Sequence, residues 1–404
     1  MRILIADALP DDQLARLTDT GHEVVDRPDL GADDLAGALT EVDPDVLVVR
    51  STKVSAAALD AGGSLGLVVR SGAGVNTIDV AHAARLGIHV CNVPGTNSVA
   101  VAELTMGLVC ALDRDLPDNV AELRAGRWDK GRFSEARGLK GRTIGIVGLG
   151  AIGLAVARRA TAFEMTVLAV AKAGRDADTL AEAEAAGVEF VDDLDTLLAR
   201  SDVVSLHVPL SDATRGMVDR DFLARCRDGA WIVNTSRGEV VDGDALLEAL
   251  DTRGMRAALD VFPDEPGGTT AEWTSPLSTH PSVYGTHHIG ASTDQAQDAT
   301  AGGTVDTILG YARGEVVNCV NLETQPVGTC SLTVRHRDEV GVLSEVLGVL
   351  KGAAINVGQM ENRIFAGSEA AVATIICEQP VTDELADRIR GVEHVLGVRV
   401  NRDA

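Results

Sequence analysis

A chain of 404 residues is too long for one ordinary hydrophobic core, so two or three domains are expected. Apolar residues make up 45% of it and aromatic ones only 3%, which suits an Ala/Val/Leu-rich α/β protein. The net charge of -24 repels phosphate backbones and anionic lipid, which argues against nucleic acid and membrane as partners and obliges any anionic substrate to find a local basic pocket.

The six cysteines (Cys91, Cys110, Cys226, Cys319, Cys330 and Cys377) are scattered without a C-x-x-C. That spacing speaks against a metal site or a disulfide framework and for a reducing, cytoplasmic location. The start, MRILIADALPDD, turns acidic too early for a signal peptide.

In chain order, RILIA, DVLVVR, LGLVVR and IHVCNVP are strand-like runs separated by helical patterns such as DQLARLTDTG. This βα alternation predicts a parallel sheet covered by helices. A long helical run, SVAVAELTMGLVCALDRDL, follows from Ser98. A second βα series begins near Arg142, with strands in TIGIVGLG, TVLAVA, VEFV, VVSLHVP, AWIVNTS and MRAALDVF. Six strands with helices between them are what a dinucleotide-binding fold needs. A further long helix over about 290–318 is expected to return to the first domain. The expected organisation is therefore a discontinuous substrate domain (1–97 and 290–318) with a nucleotide domain (98–289) inserted. After a linker (319–328), the tail (329–404) spells βαββαβ, a ferredoxin-like layout.

The second series opens on Gly148-x-Gly150-x-x-Gly153, between an apolar strand and a helix. The first glycine permits the tight turn, the second lets backbone approach a pyrophosphate, and the third lets helix and strand pack closely. The helix N-terminus at Ala151 and Ile152 then offers N–H groups to phosphate. A lone GxGxxG is weak, but its place at the head of a six-strand series argues against a merely tight turn. About 20 residues on, an acid usually holds the ribose hydroxyls. Here stands Ala171, followed by Lys172 and Arg175. Two cations without an acid suit a 2′-phosphate, so NADP joins NAD as an expected cofactor; the plainer reading is two solvated loop cations.

Three stretches end strands at the sheet edge where open α/β folds bind ligands: NTSRGEVVD, ALDVFPDEP and THHIGAST. They supply Arg237, Glu265 and His288. A guanidinium fork can clamp a carboxylate, an imidazole can exchange a hydroxyl proton, and a carboxylate behind the ring fixes its tautomer and raises its pKa. Singly, each has a surface-loop explanation. Together, beside a dinucleotide turn, they suit hydride chemistry at a 2-hydroxy acid.

The motifs VGLGAIG, LHVPLSDATRGMV, NTSRGEVVD, DVFPDEP and HIGAST together resemble the D-isomer-specific 2-hydroxyacid dehydrogenases, over essentially the whole chain. Within that family the likeness is greatest to the phosphoglycerate-oxidising branch with a C-terminal ACT domain. The resemblance implies a flavodoxin-like substrate domain, an inserted Rossmann domain and a ferredoxin-like ACT domain. It implies that Arg237 binds the substrate carboxylate, His288 is the acid/base and Glu265 its partner. His288 rather than His287 is taken because it opens HIGAST. Cofactor contacts are implied for His207, Pro209, Thr214, Thr235, Ser236, Asp260, Gly290 and Ala291, besides the glycine turn, Ala171 and Lys172. The substrate set is Arg50, Ser51, Arg70, Gly72, Gly74 and Asn97, with Lys130 and Arg132 reaching across from a neighbouring subunit. In the tail, His336 and Asn356 match effector positions for L-serine and Asp338 stands at a third where the relatives carry Asn, against the plainer reading of a dimerisation module.

The implied activity is oxidation of 3-phospho-D-glycerate to 3-phosphohydroxypyruvate with NAD(P), by a homodimer or homotetramer. The alternatives are a glyoxylate or hydroxypyruvate reductase and, from another class, a nucleotide-sensing corepressor-like binding protein.

Overall fold

Runs such as Val46–Val49 carry no polar residue, because a parallel strand with helices on both faces is buried on both. The computed structural model describes residues 1–266, 270–323 and 327–402, in two compact units, Met1–Val320 and Asn321–Ala404.

In the first unit, β1 (Arg2–Ile5), β2 (Glu23–Asp26), β3 (Val46–Val49), β4 (Leu67–Arg70) and β5 (His89–Asn92) form a parallel sheet of order β2-β1-β3-β4-β5. This is the flavodoxin-like order, with its topological switch point between β1 and β3. The second sheet holds β6 (Thr143–Val147), β7 (Thr166–Val170), β8 (Val188–Val191), β9 (Val203–Leu206), β10 (Trp231–Asn234), β11 (Arg256–Leu259) and β12 (Val283–Gly285). All are parallel, in the order β12-β11-β10-β9-β6-β7-β8, which places the switch point between β6 and β9. β12, the strand that THHIGAST ends, is a seventh beyond the six apolar runs quoted above. Three residues ending in Gly285 are too few for any periodicity to register.

Two long helices tie the sheets together. Ser98–Arg114 buries Ala102, Met106, Val109 and Leu112 against Ile144, Ile146 and Trp231 of the second sheet. Asp294–Ala312 starts on a Thr293 side-chain cap and buries Ala301, Val305 and Ile308 against Ile3, Val46, Val48 and Leu67 of the first. The spacing of those last three apolar residues puts them on one helical face. Truncating Ile308 to Ala there costs about 2–5 kcal/mol. Cys319 and Val320, expected to open the linker, instead pair with β5: Cys91 faces Cys319, and the Val320 N–H donates to Val90 O. Residues 324–326 of that linker lie outside the described residues.

The second unit holds β13 (Cys330–Arg337), β14 (Val357–Ile364), β15 (Ala370–Cys377) and β16 (Val395–Asn401), antiparallel in the order β14-β15-β13-β16. Helices Val342–Gly352 and Asp383–Arg390 cover one face, giving the expected βαββαβ layout. The first of these helices starts at Val342, just after Gly341, which occupies the left-handed region at φ 99°. Among the described residues no helix is long and apolar enough to cross a membrane.

Candidate active site

The glycine turn closes β6 at the switch point. A Cβ on Gly148 would strike the His207 carbonyl, which ends β9 next door, and Gly148 itself needs φ +101°. A Cβ on Gly153 would strike the Gly148 carbonyl and lie 3.1 Å from Ile146 Cγ2. Gly150 differs: the space its Cβ would enter is open, and it heads the helix Ala151–Ala162 without a side-chain cap. An unfilled cradle at an uncapped helix N-terminus fits a pyrophosphate.

Some enclosed polar atoms lack a partner within the fold. Among the described residues they are His207 Nδ1, Arg175 Nη1, Asn97 Oδ1, Ser98 Oγ and Thr77 Oγ1. Buried polar groups are normally satisfied, so each of these atoms is open to a partner from water or a ligand. His207 Nε2 lies 2.8 Å from Ser205 Oγ, and burial pushes its pKa down to about 4, so the ring is neutral.

The loop after β10 is built by Asn234, which is fully buried. Its Oδ1 accepts from the Ser236 N–H and hydroxyl (3.0 and 2.7 Å), and its Nδ2 donates to Arg237 O (2.9 Å). The Thr235 hydroxyl lies 2.9 Å from that of Thr105. The Arg237 guanidinium donates to Ser236 O (2.7 Å) and crosses to the other lobe, where a Cβ on Gly74 would lie 2.6 Å from Nη2.

After β11, the buried Asp260 carboxylate anchors the loop that carries the histidines. Oδ1 accepts from Thr286 Oγ1 (2.6 Å) and Ile289 N (2.9 Å), and Oδ2 from Gly290 N (2.9 Å). The Asp260 carbonyl takes the His288 N–H at 2.8 Å. His288 is held in the left-handed region, φ 53°, which costs a non-glycine residue about 1–3 kcal/mol and recurs at functional sites. Its Nδ1 lies 2.6 Å from Glu265 Oε1, leaving Nε2 for the cleft. The Glu265 hydrogen bond raises the His288 pKa against burial and against Arg237. Burial alone would lift Glu265, but the His288 hydrogen bond and charge, with the Phe262 N–H and Arg237, hold it below its ordinary value. Both histidines of the doublet are exposed, and His288 is the one whose ring meets Glu265.

On the facing lobe, Arg70 Nε donates to Arg50 O (3.0 Å), and a Cβ on Gly72 (φ +149°) would strike the Arg70 guanidinium. Burial first, then Arg237 and Arg50, lower the Arg70 pKa, and Asp7 opposes them. Three guanidinium groups therefore converge. The sequence reading missed Asp7, whose Oδ2 accepts the N–H groups of Arg50 (2.7 Å), Ser51 (3.2 Å) and Thr52 (3.1 Å). Lys130 and Arg132 are not drawn into this group: both are exposed, and Arg132 pairs with Asp118 and Glu122 (both 3.6 Å).

The family description "D-isomer specific 2-hydroxyacid dehydrogenase, NAD binding domain" matches residues 106–290. A hydroxypyruvate reductase of Thermotoga maritima is 41% identical over 298 residues, 73% of this chain and 93% of that protein. A D-3-phosphoglycerate dehydrogenase of Methanocaldococcus jannaschii is 41% identical over 364 residues, 88% of this chain and 66% of that protein. The chain belongs to the D-isomer-specific 2-hydroxyacid dehydrogenases. It spans about two thirds of the length of the phosphoglycerate dehydrogenases it matches. Among solved members of similar fold, the TT0316 protein of Thermus thermophilus superposes with TM-score 0.68 at 31% identity, covering 79% of this chain and all of that one. A D-mandelate dehydrogenase of Rhodotorula graminis gives 0.68 at 27%, over 79% of this chain and 97% of that one.

Further along this dehydrogenase's cleft, Pro209 O accepts the Thr214 hydroxyl, and Ala171 and Lys172 are exposed just past β7. Arg175 turns back: it stacks on Phe190 (5.3 Å) and donates to Val170 O (3.4 Å). Ala291 is partly buried beside Gly290. In the second unit the three residues expected at an effector site differ in exposure. Strand alternation turns residue 336 onto the core face, 2% exposed, with Nδ1 2.6 Å from Arg337 O and Nε2 3.2 Å from Asn362 Oδ1. Both ring nitrogens are engaged within the fold. Asp338 and Asn356 remain exposed, with Asn356 Nδ2 donating to Glu378 Oε1 (2.7 Å).

Proposed function

We propose that this enzyme oxidises 3-phospho-D-glycerate to 3-phosphohydroxypyruvate. The observation that carries this reading is the meeting of the Arg237/Glu265/His288 set with the half-buried Arg70 and its neighbour Arg50. An acidic chain has concentrated guanidinium groups where a substrate with both a carboxylate and a phosphate would sit. The phosphoglycerate dehydrogenases among its relatives support the same substrate class.

Arg237 grips the substrate carboxylate and polarises the adjacent carbon–oxygen bond. His288, neutral at Nε2, takes the C2 hydroxyl proton while Glu265 steadies the imidazolium that forms. A nicotinamide dinucleotide held on the Gly148–Gly153 turn would accept the hydride from C2. The C2–H and O–H bonds break and the C2=O double bond completes the ketone. Arg50, Arg70 and the backbone at Gly72 and Gly74 hold the phosphate end, with Asn97 as a further neutral contact. Thr235, Ser236, His207, Pro209, Thr214 and the Gly290–Ala291 turn line the cofactor side. For the tail, the βαββαβ layout supports an ACT-type module that pairs subunits and binds an amino acid such as L-serine at Asp338 and Asn356.

Steady-state kinetics with 3-phosphoglycerate, D-lactate and glyoxylate, each with NAD(H) and NADP(H), tests the reading. Phosphoglycerate should carry the highest kcat/KM, and Arg50→Ala should depress it far more than glyoxylate turnover. Equal effects on both would reject the phosphate pocket. Calorimetric titration with L-serine tests the tail, and silence there leaves a pairing module alone.

A further inference from the structure

The carboxylate of Asp7 takes no part in the chemistry above, yet it stands where the substrate lobe is best placed to hold a ligand. It follows β1, two residues beyond Ile5, at the crevice between β1 and β3. The Ala6 N–H still pairs with Val48 O (3.0 Å), so Asp7 is the first residue free of the sheet. One oxygen then receives three successive N–H groups, those of Arg50, Ser51 and Thr52. The turn after β3 is closed around this carboxylate as around a bound anion.

Arg50 is thereby fixed from both sides: Asp7 holds its N–H, and Arg70 Nε holds its carbonyl at 3.0 Å. Arg70 is in turn pressed against Gly72, which has no Cβ to displace it. Of the charges acting on Arg70, Asp7 is the one that offsets Arg50 and Arg237. Three guanidinium groups against one carboxylate leave surplus positive charge, and with Arg237 given to the substrate carboxylate, Arg50 and Arg70 are left to face the phosphate.

We propose that Asp7 is a positioning residue: by binding the backbone of residues 50–52 it aims Arg50, and through the Arg50 carbonyl Arg70, at the phosphate of the substrate. This rests on the phosphoglycerate reading and identifies what preorganises its anion pocket. A residue with only a structural role would disturb all substrates alike. A positioning role for the phosphate pocket shows up in the ratio between substrates.

The test compares 3-phosphoglycerate with D-glycerate, oxidised in the same direction by wild type, Asp7→Ala and Asp7→Glu, with thermal melts of each. Loss of charge-assisted hydrogen bonds lowers the phosphoglycerate to D-glycerate ratio of kcat/KM about 10- to 100-fold in Asp7→Ala, with the loss in KM. Asp7→Glu keeps the charge but displaces the turn by a methylene, so it lowers the same ratio while melting near wild type, and it serves if the alanine variant does not fold. An unchanged ratio in both variants, or a loss confined to kcat, overturns the inference while leaving the phosphoglycerate reading intact. A wild type that shows no preference for the phosphorylated substrate overturns both.

Discussion

His288 Nδ1 and Glu265 Oε1 lie 2.6 Å apart, although 23 residues separate them and neither belongs to a helix or strand. The hydrogen bond raises the histidine pKa and helps hold the carboxyl below its ordinary value. Hydroxyl oxidation needs neutral His288, so its rate climbs with pH through the raised pKa; ketone reduction needs the protonated ring and falls there. Glu265→Gln removes the negative charge. It should shift the acid limb of oxidation to lower pH and cut the plateau at least about tenfold. A profile unmoved along the pH axis would rule out the pair as the source of the raised pKa. The same shifts bear on stability. The histidine contribution is complete below its ordinary pKa and fades as pH rises through the raised one. The glutamate contribution is complete above its ordinary pKa and fades as pH falls through the lowered one. Their joint contribution is therefore greatest between weakly acid and neutral pH.

The left-handed backbone at His288, φ 53°, guides the choice of replacement. Asn tolerates that region better than most residues and lacks a titratable ring. His288→Asn should melt close to wild type yet lose about 10²- to 10⁴-fold in kcat. Retained turnover would move acid/base catalysis to another group.

The turn glycines separate cofactor binding from folding. A Cβ on Gly150 enters open space at φ −95°, so Gly150→Ala should fold normally and weaken dinucleotide affinity. A Cβ on Gly153 meets backbone, and forcing extra volume into packed structure costs about 1–3 kcal/mol, so Gly153→Ala should lower Tm as well. Melts without cofactor and fluorescence titrations with NADH distinguish the two; equal melting losses would sink the assignment of Gly150.

Two cysteine pairs face each other across antiparallel partners, Cys91 with Cys319 and Cys330 with Cys377. Burial first, then the neighbouring thiol, pushes Cys91 up to about 12 and Cys377 to about 11; burial alone lifts Cys226 to about 11. Thiolate is the reactive form. Alkylation near neutral pH should therefore spare Cys91, Cys226 and Cys377 until urea unfolds the chain. Rapid native labelling at any of the three, read by peptide mass, would contradict this.

The βα alternation, the glycine turn and the three strand-end motifs were legible because each is local: an apolar run, a fixed spacing, a turn composition. The pairing of Glu265 with His288 was inferable from the chemistry the three motifs could share and from family resemblance, but not from any local pattern, since it depends on two loops that meet in space. Asp7 left no local signal at all. An acid after a strand is common, and its three donors come from residues 50–52. The tail shows the opposite case. His336 matched an effector position in linear sequence, but the strand's period of two commits it to the core.

Ala171 and Arg175 are the residues at which a preference for one dinucleotide can be tested. Ala171 offers no acid to the ribose hydroxyls, and Arg175 is folded over Phe190 with Nη1 enclosed and unpartnered. An aromatic stack and one long bond to Val170 O hold it lightly, so a 2′-phosphate near the end of β7 can draw it out. Ala171→Asp should lower kcat/KM with NADPH relative to NADH at least about tenfold, because the new carboxylate repels that phosphate and accepts the free hydroxyls instead. Arg175→Ala should weaken NADPH binding and leave NADH nearly unchanged. If the NADPH to NADH ratio stays constant in both variants, Arg175 serves only to pack against Phe190, and the ribose is held by backbone alone.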